Sequence, residues 1–319
     1  MRSTKIWLFV SAILMVGGIG LAAIGFAKGG TWRMRFDFKN FKLHSGSENF
    51  VTKTEKTDSF NKLVVKTDTF DIRVNKGNDY SITYHVPDDR IPVITNENGT
   101  LTILAEEESG LSLFNFGSYG DENPYIEITT PEDTKKEIDI ESSTGDITIT
   151  NLSFEGPITT STGDINLSQS NMGKMMLHVS TGDIFANNCS IESLNTEAST
   201  GEVKISDTTC EGGYTAKTST GDINIKNSEF SSFTANGSTS DITVENSSIN
   251  DILIDTSTGD VKLGLKGEES EYSSKITTST GDIEINGKEY EDNYNSSNSG
   301  NKSIAIETST GDVEISFRS

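Results

Sequence analysis

Nine acidic side chains recur at one place in a repeated phrase: Asp146, Asp164, Asp183, Glu202, Asp222, Asp241, Asp260, Asp282 and Asp312. Carboxylates in such a row could do three kinds of chemistry. Two held close together could divide the roles of general acid and general base. A run of them could bind calcium, which prefers carboxylate and carbonyl oxygens. Each could instead accept hydrogen bonds from N–H groups of the turn it occupies, as Asx turns do. Nine equivalent acids contain no asymmetric pair, which weakens the catalytic reading. The calcium reading stays open, although the phrase is not the GGxGxD type of calcium repeat. The turn-acceptor reading needs only the local backbone, and it is the one the sequence favours, with no catalytic residue, cofactor or metal assigned. His44, His85 and His178 are too scattered to form a dyad with any of these acids.

The elements that position the row follow from its spacing. Each acid follows a corner residue, Gly145, Gly163, Gly182, Gly201, Gly221, Gly259, Gly281 or Gly311, with Ser240 in the remaining copy. Successive corners lie 18, 19, 19, 20, 19, 19, 22 and 30 residues apart, which reads as one turn of a stacked structure. Counting from the corner, plus two is always Ile or Val and plus four is always aliphatic, a period-two pattern that marks a short strand with one buried face. A second strand precedes each corner, with inward positions at minus seven and minus five, such as Ile252 and Ile254. Two strands per turn and no helix predict an all-β fold, a parallel β-solenoid of about nine coils of ~19 residues. Stacking would set neighbouring carboxylates about 4.8 Å apart, where unit charges repel by about 0.9 kcal/mol in water. That repulsion calls for a compensating partner.

Other columns sharpen the picture. Plus six holds Asn151, Gln169, Asn188, Asp207, Asn227 and Asn246, which predicts a ladder of side-chain amides at one bend. Plus nine holds Phe154, Met172, Ile191, Cys210, Phe230 and Ile249, so Cys210 reads as a core residue. Cys189 falls two columns away, and the separation of about 8 Å between Cα atoms on adjacent coils exceeds disulfide reach. In the Thr-Ser-Thr phrases, parity turns minus three and minus one inward and leaves the serines outside, which opposes a water-ordering threonine face.

The solenoid domain spans 138–319, with a polar loop insertion at 287–302. Residues 50–137 read as a β cap with a degenerate first coil, in which Phe70 takes the corner slot and Asn98-Gly99 turns a hairpin. Before it come an N-tail at 1–5, a transmembrane helix at 6–27 and a basic, aromatic juxtamembrane stalk at 28–49. The run from Ile6 to Ala27 has 22 residues without a charge, enough to cross a hydrocarbon core of roughly 30 Å. A cleaved signal peptide ending at Ala27 is the competing reading. The excess of Lys and Arg after the span would place the C-terminal domain in the cytoplasm. Long domains translocate largely regardless of charge, so the expectation is a single-pass cell-membrane protein with its C-terminal domain extracellular.

Composition narrows the partners. A net charge of -22 argues against nucleic acid, since affinity for phosphate backbones comes from clustered Lys and Arg. Only 33% of residues are hydrophobic, which fits many thin β layers rather than one wide core. An N-terminal span, the entry segment IEITTPEDTKKEIDIESSTGDITI and tandem STGDI coils resemble a bacterial putative-adhesin family of unknown function that includes LiaG-like proteins of envelope-stress operons. The resemblance covers about residues 50–319 and implies a β-solenoid at the bacterial surface, with no catalytic residue to carry over. The functional expectation is a non-enzymatic surface solenoid for adhesin-like binding or envelope-stress sensing, anchored to the membrane through 6–27, with an unknown surface protein or glycan as ligand. The alternatives are a lyase-like polysaccharide-active enzyme on a β-helix, or a calcium-binding repeat protein.

Overall fold

The computed structural model describes residues 34–37, 42–45, 49–105, 123–131, 134–298 and 300–318. The span expected at 6–27 lies outside the described residues. Among those described, no helix is long and apolar enough to cross a membrane. The chain divides into two compact units. In the smaller, Met34–Asp37 and Lys42–Ser45 pair antiparallel, with Met34 opposite Ser45. The larger is the solenoid.

Each coil of the solenoid contributes one strand to each of two parallel sheets. Asn171–Thr181 and Ile184–Asn187 are typical. In the second sheet, Ile165, Ile184, Val203, Ile223 and Ile242 stand in register on five successive coils. Every plus-two and plus-four side chain of the nine repeats is buried, as are the minus-seven and minus-five aliphatics of the facing sheet. The core is therefore a narrow filling between two sheets, which is why a low apolar content suffices. The plus-nine column is buried too, Cys210 included, and both cysteines are free.

The corners need glycine for a steric reason. At Gly221 φ is +150°, and an added Cβ would stand 1.9 Å from the Gly201 carbonyl oxygen on the coil beneath. Ser240 escapes this through an exchange within its own coil. The minus-three position, Thr in the neighbouring coils, is Gly237 here, and a Cβ on Gly237 would lie 2.9 Å from the Ser240 Cβ. Ser240 thus fills the space that the threonine leaves and hydrogen-bonds to Thr218 Oγ1.

Three expectations are corrected. The minus-one threonines do not point inward: Thr162, Thr200 and Thr220 are exposed beside exposed serines, while minus-three residues such as Thr160 and Thr218 are buried. Simple alternation ends where the backbone bends into the corner, so parity cannot be carried across it. The cap holds two coils rather than one. Lys62–Thr67 and Asp71–Lys76 stack on the Gly145 coil, and Thr100–Ala105 with Tyr125–Thr130 stacks outside them. The segment 287–302 is not merely a polar loop. It contains strands Lys288–Tyr290 and Asn293–Ser296, which pair antiparallel with the Gly281 coil.

This second cap changes the order of the coils. The Gly311 coil, last in the chain, lies between the Gly259 coil and the Gly281 coil, with Ile252 paired to Ile304 on one side and Ile276 to Ile306 on the other. The N-terminal end is built likewise, its outermost coil covered by antiparallel strands Ser81–Pro87 and Val93–Glu97. An Asn-Gly pair with positive φ turns a hairpin at each end, Asn98-Gly99 and Asn286-Gly287, the residues a two-residue hairpin prefers. Antiparallel covers close off strand edges that would otherwise template further pairing.

Candidate functional site

The acid row forms one continuous edge of the solenoid, partly to fully exposed. Its carboxylates bond across coils, not within their own turns. Asp146 Oδ1 accepts the Asp164 N–H at 2.9 Å, Asp164 Oδ1 accepts that of Asp183 at 2.8 Å, and Asp183 Oδ1 accepts that of Glu202 at 2.7 Å. The ladder begins in the cap, where Asp71 accepts the Asp146 N–H at 3.1 Å. Beyond the middle it runs from Asp222 through Asp241 and Asp260 to Asp312, and ends at Asp282, following the order of coils in space rather than in sequence. Each rung gives a carboxylate a backbone donor, and this offsets the repulsion between neighbours. Asp71 is half-buried, and desolvation lifts its carboxyl above the usual carboxylate range despite that N–H.

One rung is missing. Glu202 is a methylene longer than aspartate, and its carboxylate turns to Asn224 Nδ2 at 2.6 Å and Lys204 Nζ at 2.8 Å, leaving the Asp222 N–H outside the ladder among the described residues. Glu202→Asp is expected to restore the rung. A hydrogen bond to a charged group contributes about 1.5–3 kcal/mol, while the exposed pair with Lys204 contributes about 0–1 kcal/mol. The variant exchanges the Asn224 bond for a rung of the same kind and gives up only the Lys204 pair, so it should melt within about 2–4 °C of the parent, and a larger drop would show that the rung does not form.

A second ladder escaped the sequence reading. At plus six the Asn, Gln and Asp residues adopt left-handed φ of 48–57°, a conformation that short amide side chains tolerate, and the amide ladder is continuous only from Asp207 through Asn227 to Asn246. The next residue, plus seven, points inward. Ser170, Thr208, Ser228 and Ser247 are buried there, and each hydroxyl donates to the plus-five carbonyl of its own coil at 2.7–2.8 Å. The same hydroxyls accept the plus-seven N–H of the adjacent coil, as from Ser228 to Ser247 at 3.0 Å. The Ser/Thr bias of this column was the available signal. Cys189 occupies the same position, and burial raises its thiol pKa.

His85 and His178 have separate surroundings. His85 Nδ1 meets Thr52 Oγ1 at 2.7 Å and its ring stacks on Tyr125, while His178 faces Glu197 at 3.7 Å. Among the described residues no three His, Cys, Asp or Glu side chains converge as metal ligands would.

A family model described as Toastrack DUF4097 matches residues 60–316, from the first cap coil to the last strand. The chain belongs to the Toastrack DUF4097 family. Solved structures similar to this Toastrack chain include a putative adhesin from Bacteroides fragilis, at 17% identity over 84% of this chain and 98% of that one, with a TM-score of 0.42. A putative adhesin from Parabacteroides distasonis matches at 10% identity over 84% and 98%, with a TM-score of 0.46. A putative lipid binding protein from the same species matches at 15% identity over 85% and 97%, with a TM-score of 0.40. No curated protein matches the chain.

In this Toastrack chain the rungs make a prediction about calcium. With every aspartate of the row except the terminal Asp282 accepting a backbone N–H, EDTA and millimolar calcium should give melting temperatures within about 2 °C of each other. A ligand bound only to the folded state at a hundred times its Kd would add about 2.7 kcal/mol per site. Asp222→Asn keeps an acceptor oxygen for the Asp241 N–H, so it should be milder than Asp222→Ala. A large calcium shift abolished by Asp222→Asn would make the row a metal site.

Proposed function

We propose that the chain is a non-enzymatic binding protein of the bacterial cell envelope, anchored through residues 6–27 with the solenoid outside the cell, in an adhesin-like or envelope-sensing role. The observation that carries this reading is the use of the acid row as scaffold. Seven of its nine carboxylates are spent on inter-coil rungs, and Glu202 is held by Asn224 and Lys204, so the row offers no matched pair of acid and base. What repetition supplies instead is a long rigid surface of equivalent positions, suited to holding an extended partner.

The lyase-like alternative is weaker on charge. Residues 138–319 carry ten Lys or Arg against 29 Asp or Glu, and five of the nine lysines pair with carboxylates, as in Lys217 to Glu197 and Lys226 to Glu245. An acidic polysaccharide would meet repulsion and find few basic groups free to take its proton.

Two measurements test the proposal. Protease added to intact cells should digest the solenoid while the anchor stays with the membrane. A solenoid protected until lysis would place it in the cytoplasm, and a mature N-terminus at Lys28 would replace the anchor with a cleaved signal. The full chain in detergent, applied to arrays of glycans and surface proteins, should be retained by members of one class. Retention by none would remove the binding role.

A further inference from the structure

One outward face of the solenoid differs in chemistry from the rest of this acidic chain. On the sheet that follows each corner, the plus-three and plus-five side chains point outward. From the Gly145 coil to the Gly221 coil these positions include no carboxylate. The opposite sheet presents Asp139, Glu141, Glu155 and Glu197 over the same stretch. The outward strip is built from hydroxyls and amides, and its two lysines are neutralised, Lys204 by Glu202 at 2.8 Å and Lys226 by Glu245 at 3.1 Å.

At the centre of this strip stands Phe185. It is partly exposed in a column whose register neighbours are Asn166 on the coil before and Lys204 then Asn224 on the coils after. From Thr148 to Lys262 this column holds no other apolar side chain. Lys204, its register partner on the next coil, lies over the Phe185 ring, with Nζ 5.7 Å from the centroid. Two amides of the strip are already oriented, Asn187 Nδ2, two residues along the same strand, by Ser206 Oγ at 2.6 Å and Asn224 Nδ2, two coils away, by Glu202 Oε1 at 2.6 Å. Side chains fixed before a ligand arrives lose less entropy on binding.

A single ring flanked by oriented amides and hydroxyls is the chemistry that recognises a pyranose, whose C–H face packs on an aromatic and whose hydroxyls bond to amides. The strip is too narrow and has too little apolar surface for the core of a protein interface, which needs about 800 Å² per partner. Charge selects among glycans. The strip is neutral, but the acid row runs two positions away at Asp183, Glu202 and Asp222, so a polyanion would be repelled. Coils spaced about 4.8 Å apart advance at close to the rate of a β-1,4-linked sugar chain, so successive coils can meet successive sugars.

We propose that the face centred on Phe185 binds an uncharged β-linked glycan strand laid along the solenoid axis, with one sugar stacked on the Phe185 ring, the next on one side hydrogen-bonded by Asn166, and those on the other side by Lys204 and then Asn224. This rests on the binding role proposed above and names the partner for it. The test uses the full chain in detergent, titrated with cellohexaose, with the N-acetylglucosamine hexamer and with hexagalacturonate. At least one neutral hexamer should bind, and hexagalacturonate should bind at least tenfold more weakly. Phe185→Ala should weaken neutral binding at least tenfold without lowering the melting temperature, Phe185→Trp should retain it, and Glu141→Gln on the opposite sheet should leave it unchanged. Failure of both neutral hexamers to bind, insensitivity to Phe185→Ala, or equal binding of hexagalacturonate would overturn the inference. Retention on a protein array with no neutral glycan bound would also overturn it, while leaving the broader binding role in place.

Discussion

Ile223→Asp is expected to abolish the cooperative folding of the solenoid, while Ser219→Ala, four residues away, leaves the melt unchanged within a degree. Ile223 is fully buried, in register with Val203 on one side and Ile242 on the other. An aspartate there would stand between Val203 and Ile242 inside the core, and burying an unpaired charge costs several kcal/mol. Whole domains are stable by only about 5–15 kcal/mol, and neighbouring coils depend on each other for their interfaces, so the loss would spread in both directions. Ser219 is exposed on the corner, where substitutions usually change stability by less than about 0.5 kcal/mol. Circular dichroism melts of the two variants decide the matter, and the reverse ranking would mean that the inner and outer faces have been exchanged.

A chain ending at Asn301 is expected to lose far more stability than the removal of one end coil would cost. If coils stacked in sequence order, residues 302–318 would form the last layer and contribute a single interface. They lie instead between the Gly259 and Gly281 coils, paired along both edges. Truncation therefore removes two interfaces and interrupts the acid ladder, in which Asp312 accepts from Asp282 and donates its N–H to Asp260. Each kcal/mol lowers the melt of a domain of 150–250 residues by about 2–4 °C, so the expected drop exceeds about 10 °C. Urea unfolding should also show a smaller m-value, because less surface remains to be exposed. A melt within a few degrees of the intact chain would mean that the Gly281 coil restacks directly on the Gly259 coil.

The candidate site was legible in part. The acid row could be read from its spacing, because the corner that carries it repeats with the same steric demand at each glycine. The partner of each acid could not be read, since a carboxylate beside a turn has its own turn and the adjacent coil within reach, and only the stacking distance chose the adjacent coil. The plus-seven hydroxyl ladder shows the same limit. Ser170, Thr208 and Ser228 look like surface residues in a list, yet the left-handed residue before each one turns it inward. Phe185 was invisible as a site because its significance lies in the absence of carboxylates around it on the sheet face.

The sequence by itself determined the coil: its length, its two strands, its buried columns and the glycine at its corner. These depend on alternation and on backbone conformation, which are local and repeat with the chain. The tertiary structure alone decided which coil lies beside which. Every repeat presents the same pattern of corner threonines and aliphatic positions at both edges, so the pairing of one coil with the next is nearly degenerate in sequence. The antiparallel covers at the two ends broke that degeneracy. With the outer edge of the Gly281 coil closed, the last repeat lies between two earlier ones, and with that of the coil at Thr100–Ala105 closed, the coil at Lys62–Thr67 lies inside it.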